Sequence, residues 1–198
     1  LPKAFLIHGY ISIGGKKMSK TLGNIVDPFV LADSYGIDAL RWYFFTMNPP
    51  GEPKRFAIRD VEEKLRRFVL TISNVLVFYK TYASKATSDK RQATSLLDRW
   101  IISRLNQTIK TGRQNLDQYE VTQAARPIDD FVDDLSRWWL RRSRKRFSEP
   151  DAEMASAVLK EILETLAKII APFTPFLAEY LWHNIGNKES VHLQNYPE

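Results

Sequence analysis

The chain has 198 residues, with 29 Lys and Arg against 23 Asp and Glu, a net charge of +6, no cysteine and 44% hydrophobic residues. A chain of this length can bury a core of its own, and without cysteine it has no disulfide framework, no thiolate nucleophile and no thiolate zinc site. Apolar runs such as Phe173 to Leu181 fall well short of the roughly 20 residues that span a bilayer, and His8, His183 and His192 are too scattered for a metal cluster.

Residues Ala4 to His8 read as a short apolar strand, followed by Gly9-Tyr10-Ile11-Ser12-Ile13 and the turn signal Gly14-Gly15. The chain opens at Leu1 with no initiator Met and no leader pattern, and is expected to be a piece of a longer protein. A lysine-rich loop follows. At Asp27-Pro28 the pattern turns helical, with Pro28 suited to a first turn, and a second short helix is predicted after Gly36, over Asp38 to Met47. The stretch Asn48-Pro49-Pro50-Gly51-Glu52-Pro53 stops any helix, because prolines lack the amide donor and bias their predecessors toward extended geometry, and a domain boundary is placed there.

Beyond the boundary, Val61, Leu65, Phe68, Ile72, Val75, Tyr79 and Tyr82 recur at three- and four-residue steps, the period of one helix face. The same spacing returns in Leu97 to Leu116, in Val121 to Trp139 and in Val158 to Ile170. A shorter helix is predicted from Thr174-Pro175, read as N-cap and first helical position, to about Ile185. Five amphipathic helices joined by short polar links predict a bundle. Pro127 falls inside the third and predicts a kink or a late start, while Ser84 to Ser95 reads as a polar link.

Two places concentrate charge. The string Gly14-Gly15-Lys16-Lys17-Met18-Ser19-Lys20-Thr21-Leu22-Gly23-Asn24 sets lysines and hydroxyls between glycines, with Met18 as an apolar anchor. Such a loop can close over a polyphosphate, the ammonium groups acting as point charges and hydroxyls and amides donating hydrogen bonds. The glycine spacing of a P-loop is missing, and a solvated basic turn is the plain alternative. The second place is the third bundle helix. Asp129, Asp130, Asp133 and Asp134 precede Arg137, Arg141, Arg142, Arg144, Lys145 and Arg146, an order that complements the helix dipole. The cations exceed what capping needs, and they interleave with Trp138, Trp139 and Phe147, a mix suited to phosphate contacts and to stacking on unpaired bases. Trp139 lies on the apolar stripe and reads as core.

Lys17-Met18-Ser19-Lys20-Thr21 resembles the KMSKS signature of class I aminoacyl-tRNA synthetases, and its surroundings match as well: His8-Gly9 before it, then Leu22-Gly23-Asn24, Asp27-Pro28 and Tyr35 through Arg41. The fifth position is Thr21 where the family usually has Ser, which keeps the hydroxyl. Asp98 through Asn106, Tyr119, Ala124-Ala125-Arg126, Phe131-Val132, Asp134-Leu135-Ser136 and Trp138 through Phe147 resemble the anticodon-binding domain of isoleucyl-tRNA synthetases. Valyl, leucyl and methionyl enzymes share the loop and bundle. A HIGH-type signature is missing from this chain, and proline is not the family's usual residue at Pro127.

The resemblance implies a mainly α chain: residues 1–56 as an α/β remnant ending a class I catalytic domain, and 57–198 as an anticodon-binding helical bundle. It implies that the full enzyme forms an aminoacyl-adenylate from ATP, with Mg²⁺, and an amino acid, then passes the aminoacyl group to tRNA. Lys17 and Lys20 become the catalytic lysines that stabilise departing pyrophosphate, and Lys17, Met18, Ser19, Lys20 and Thr21 the ATP-binding loop. Loss of a single electrostatic donor such as Lys20 would cost about 3 kcal/mol of barrier, roughly a hundredfold in rate. Arg137, Trp138, Arg141, Arg142, Arg144, Lys145 and Arg146 become the tRNA-binding set. A cytoplasmic, monomeric enzyme with no membrane partner is implied, with no metal site in this stretch and no amino-acid activation by this stretch alone. The rival readings are a non-catalytic helical RNA-binding module and a protein-interaction bundle whose basic end only solubilises.

Overall fold

The computed structural model describes residues 5, 7, 9–83, 95–148 and 151–198. The expected strand over 4–8 is not found at Phe5 and Ile7, and its other positions, His8 included, lie outside the described residues, as does most of the Ser84 to Ser95 link. The sheet forms one step later. Strand β1 (Ile11–Ile13) pairs antiparallel with β2 (Lys16–Lys17) and parallel with β3 (Lys54–Arg55), giving the order β2-β1-β3. Gly14 and Gly15 make the hairpin turn with φ of +56° and +80°, the left-handed pair that suits the twist of a two-residue loop. Gly9 is needed for another reason: a Cβ there would lie 2.2 Å from the carbonyl oxygen of Glu52, so only glycine lets the two backbone segments pass.

Helices α1 (Pro28–Tyr35) and α2 (Ile37–Thr46) follow. Pro28 opens α1 and the Asp27 carboxylate caps it, accepting from the Phe29 amide at 2.8 Å. The bundle then runs through α3 (58–82), α4 (Leu96–Asp117), α5 (121–143), α6 (Ala152–Ile170) and α7 (Pro175–Asn184). Both α3 and α5 contain a π-helical stretch, Leu65–Val69 and Asp134–Leu140, and α5 tightens to 3₁₀ geometry over Arg144–Ser148. Because α5 begins at Val121, Pro127 sits in its interior and does not delay its start. Among the described residues no helix is long and apolar enough to cross a membrane.

Two apolar clusters form. The larger joins Phe68, Ile72 and Leu76 of α3, Ile101 and Leu105 of α4, Ile128, Leu135 and Trp139 of α5, and the inner faces of α6 and α7. The smaller, of Leu31, Leu40, Tyr43, Phe56 and Val61, lies beneath the sheet-bearing part. Helix α2 belongs to both. Its Trp42, with no exposure, stacks on Phe68 at 3.7 Å and meets Phe173 edge-on, so one side chain of α2 is buried within the bundle. Burying an indole of that size is worth on the order of 5 kcal/mol before entropy is charged against it.

Polar contacts fasten both ends of α2 as well. Arg41 donates to the carbonyls of Phe173 and Pro172 at the end of α6, while Asp38 accepts from the Leu177 amide at 2.6 Å and so caps α7. Thr174, the cap expected from sequence, turns its hydroxyl back to Ile170 instead. At the other end Arg126 of α5 donates to the carbonyls of Thr46 and Met47, and Thr122 to that of Asn48. Asp129, read from the sequence as one acid in a dipole-complementing charge order, accepts from the Trp42 indole and pairs with Lys64.

Candidate functional site: the lysine loop and the basic helix end

The lysine loop leaves β2 and folds back on itself. Met18 donates its amide to Ile11, Leu22 to Ser19 and Gly23 to Lys20. Asn24 clasps the two ends, its side-chain oxygen accepting from the Ser19 amide at 2.8 Å and its nitrogen donating to the Lys17 carbonyl at 3.2 Å. Asn24 is the loop residue whose work sequence reasoning missed; an Asn after a loop glycine is the signal, since its amide mimics a backbone turn. The amides of Met18, Ser19, Leu22 and Gly23 are therefore committed within the loop. That narrows the expectation that the loop's amides would donate to a phosphate.

Lys16, Lys17, Lys20 and Thr21 are exposed and Ser19 is half-buried. Lys17 lies 6.0 Å from the centre of the Tyr10 ring, a loose cation–π contact that a dianion can displace. Met18 is half-buried and, among the described residues, is not packed against either apolar cluster; the side-chain hydrogen bonds that hold this loop come from Asn24.

The cations that begin within the π-helical stretch of α5 and continue past it differ in their partners. Arg137 is tied to Asp133 at 2.9 Å. Arg141, Arg142, Arg144 and Lys145 are exposed and form no ion pair among the described residues. Arg141 and Arg144 flank a groove of about 290 Å³ whose floor is Val75, Phe78 and Leu140 and whose polar lining is Asn74 and Ser136. The Arg142 guanidinium lies 3.8 Å over the Trp138 ring, which in turn meets Trp100 of α4 at 6.4 Å.

Arg146 leaves the expected RNA-facing set. Its side chain is only 15% exposed, and its guanidinium grips fully buried Asp98 with two bonds of 2.8 Å while its Nε donates to Asp151 at 2.7 Å. The Trp139 indole donates to the same carboxylate at 3.0 Å. Burial pushes the Asp98 carboxyl up, and the Arg146, Ser95 and Trp139 hydrogen bonds outweigh it, holding the group below the ordinary aspartate value. Arg146 therefore shapes the basic turn from beneath. Nothing in the sequence marked this, because the partners are 48 residues apart. Among the described residues no group of three or more His, Cys, Asp or Glu could hold a metal ion.

A small sheet carrying a braced lysine loop, joined through α2 to a helical bundle with a cationic end, defines the class of molecule. The chain matches the description "tRNA synthetases class I (M)" over residues 1–111 and "Anticodon-binding domain of tRNA ligase" over residues 98–198, and it belongs to the class I tRNA synthetase family. It is 46% identical to the isoleucine–tRNA ligase of Dehalococcoides mccartyi over 92% of this chain and 20% of that protein. It is 43% identical to that of Clostridium tetani over 93% of this chain and 19% of that protein, and 41% identical to that of Thermus thermophilus over 99% and 20%. The chain thus spans about one fifth of the length of the curated relatives it matches. Among solved structures its fold is similar to that of the agnB2 LeuRS of Agrobacterium radiobacter K84, solved as a ternary complex with tRNA and LeuAMS, with a TM-score of 0.72 at 20% identity over 96% of this chain and 23% of that one.

Proposed function

We propose that this chain serves in an isoleucine–tRNA ligase, residues 1–56 ending its catalytic domain and residues 57–198 forming its anticodon-binding bundle. The reading is carried by the pairing, in one chain 46% identical to such a ligase, of the braced lysine loop with the exposed cations Arg141, Arg142, Arg144 and Lys145 at and just past the end of α5, which form no ion pair among the described residues.

In the full enzyme the isoleucine carboxylate attacks the α-phosphorus of ATP, the bond to the β-phosphate breaks and pyrophosphate leaves. Negative charge grows on the departing phosphates, and donors that meet it there speed the step more than they tighten ground-state binding. Lys17, whose carbonyl Asn24 holds, and Lys20, whose carbonyl accepts from Gly23, fill that role, and the hydroxyls of Ser19 and Thr21 donate beside them. Mg²⁺ enters on the phosphates of ATP as part of the substrate. Met18 sits in the ATP-facing turn between Lys17 and Ser19. The aminoacyl group then passes to the terminal adenosine of the tRNA, whose stem and anticodon are held by Arg141, Arg142, Arg144 and Lys145, with Trp138 beside them and Arg137 at the margin. The protein works in the cytoplasm as a monomer.

These 198 residues alone are expected to give no isoleucine-dependent ATP–pyrophosphate exchange, and an exchange signal from the chain would overturn that division of labour. For the RNA face, fluorescence anisotropy with labelled tRNA is the direct assay. The double change Arg141→Glu and Arg142→Glu is expected to abolish binding; unchanged affinity would refute this placement of the RNA face.

A further inference from the structure

Trp138 is 47% exposed on α5, although its neighbour Trp139 is wholly buried. An indole so exposed is a costly thing to leave in water, and it does not stand alone. Trp100 on α4 meets it across the helix pair at 6.4 Å with the rings tilted by 57°. One turn along, Arg104 of α4 pairs with Asp134 of α5 at 2.8 Å, so the two helices are held in register beneath the aromatic pair. One turn the other way, Arg142 covers the Trp138 ring with its guanidinium. The result is a ledge: two indoles side by side, one shielded by a movable cation, with Arg141, Arg144 and Lys145 exposed in the residues that follow along the chain.

Resting on the RNA-binding reading above, we infer that Trp138, backed by Trp100, is a stacking platform for one unpaired nucleobase, which takes the place of Arg142 on the indole while Arg142 turns to the phosphate beside that base. The magnitudes favour the exchange. A cation over an exposed aromatic ring is worth about 0.5–1 kcal/mol, whereas a base on an aromatic side chain is worth about 1–3 kcal/mol. The freed guanidinium recovers its lost contact on a phosphate, where its planar fork suits two oxygens. The occupant follows from the same chemistry. A base inside a duplex has both faces stacked on its neighbours and cannot offer one to Trp138, so the ledge selects RNA with an unpaired base, a loop or single strand, over a continuous stem. A protein partner would have to bring acidic and apolar groups together to match the same surface.

The tryptophans make this readable directly. Trp42, Trp139 and Trp182 are buried, which leaves Trp100 and Trp138 as the emitters a docking base can quench. The 198-residue chain is titrated with an RNA hairpin carrying an unpaired loop and, separately, with a blunt duplex of the same stem, following intrinsic fluorescence and the anisotropy of labelled RNA together. Both RNAs are expected to bind, with the hairpin tighter and only the hairpin quenching. Trp138→Leu is expected to lose the quench and weaken hairpin binding about tenfold while leaving duplex binding unchanged, which also certifies the fold of the variant. Trp138→Phe keeps a ring, and is expected to hold hairpin affinity near that of the parent while the quench falls to the part owed to Trp100. Equal quenching by the duplex, a quench undiminished in both variants, or binding without any quench would overturn the platform while leaving the RNA face standing. Absence of binding by either RNA would overturn the RNA-face reading and the platform with it.

Discussion

Asp98 has the most consequential side chain at the end of the bundle that carries the cations, although it touches no solvent. Its carboxylate answers the Arg146 guanidinium and the Trp139 indole at once, so Asp98→Asn would leave a guanidinium buried to 15% exposure with only the partly exposed Asp151 for balance. Breaking one partner of such a pair costs about 3 kcal/mol, which lowers the midpoint of thermal unfolding by roughly 6–12 °C for a chain of this size. The sign with pH follows from the depressed carboxyl. The native state binds fewer protons than the unfolded chain between the native Asp98 value and the ordinary 3.8, so its stabilisation is complete above that ordinary value and drains away as pH falls through the native one. Thermal melts of parent and variant from neutral to acidic pH are expected to converge at the acid end; a constant gap would mean that the pair carries no such charge. Sequence reasoning placed Trp139 in the core on its helical spacing and was right. It read Arg146 as one more basic residue, because local charge order carries no word of a carboxylate 48 residues upstream.

The helices themselves were legible from spacing. The five apolar stripes beyond residue 57 correspond to α3 through α7, and Pro28 and Gly36 punctuate α1 and α2 as local rules require. Capping across space was not legible. Thr174 precedes a proline at the first helical position, the usual signature of an N-cap, yet its hydroxyl bonds backward to Ile170 and the job passes to Asp38 from α2. Asp38→Ala is therefore expected to destabilise the chain by about 1–2 kcal/mol, and Thr174→Ala by only a few tenths. Chemical denaturation of the two variants distinguishes the assignments, and the reverse order would return the cap to Thr174. The π-helical stretches were equally hidden, since an extra residue in a turn leaves the apolar spacing almost intact. In α5 that stretch carries Arg137 and Trp138 and hands on to Arg141 and Arg142, so it sets which way the cationic end faces.

For the molecule as a whole, the proline-rich stretch at 48–53 marks a change in composition, and the packing crosses it. Trp42 stands in the bundle core, Val61 stands in the smaller cluster, and Arg41, Asp38 and Arg126 fasten α2 to three different bundle helices' ends. Helix α2 is thus a shared beam, and the lysine loop two elements upstream is carried on the same frame as the cations of α5. The sequence motif located the loop; only the structure supplied Asn24 as its clasp and, of the cations expected to face RNA, left Arg141, Arg142, Arg144 and Lys145 exposed with no ion pair among the described residues.

Those four residues make the central claim countable. Each cation that neutralises a phosphate releases counterions, so the affinity of this chain for tRNA falls with salt at a slope set by the number of contacts. Equilibrium binding measured across a salt series is predicted to give a log–log slope of roughly −3, as about four phosphate contacts require. A slope near zero, or no binding at low salt, would contradict the assignment of the bundle's basic end to RNA.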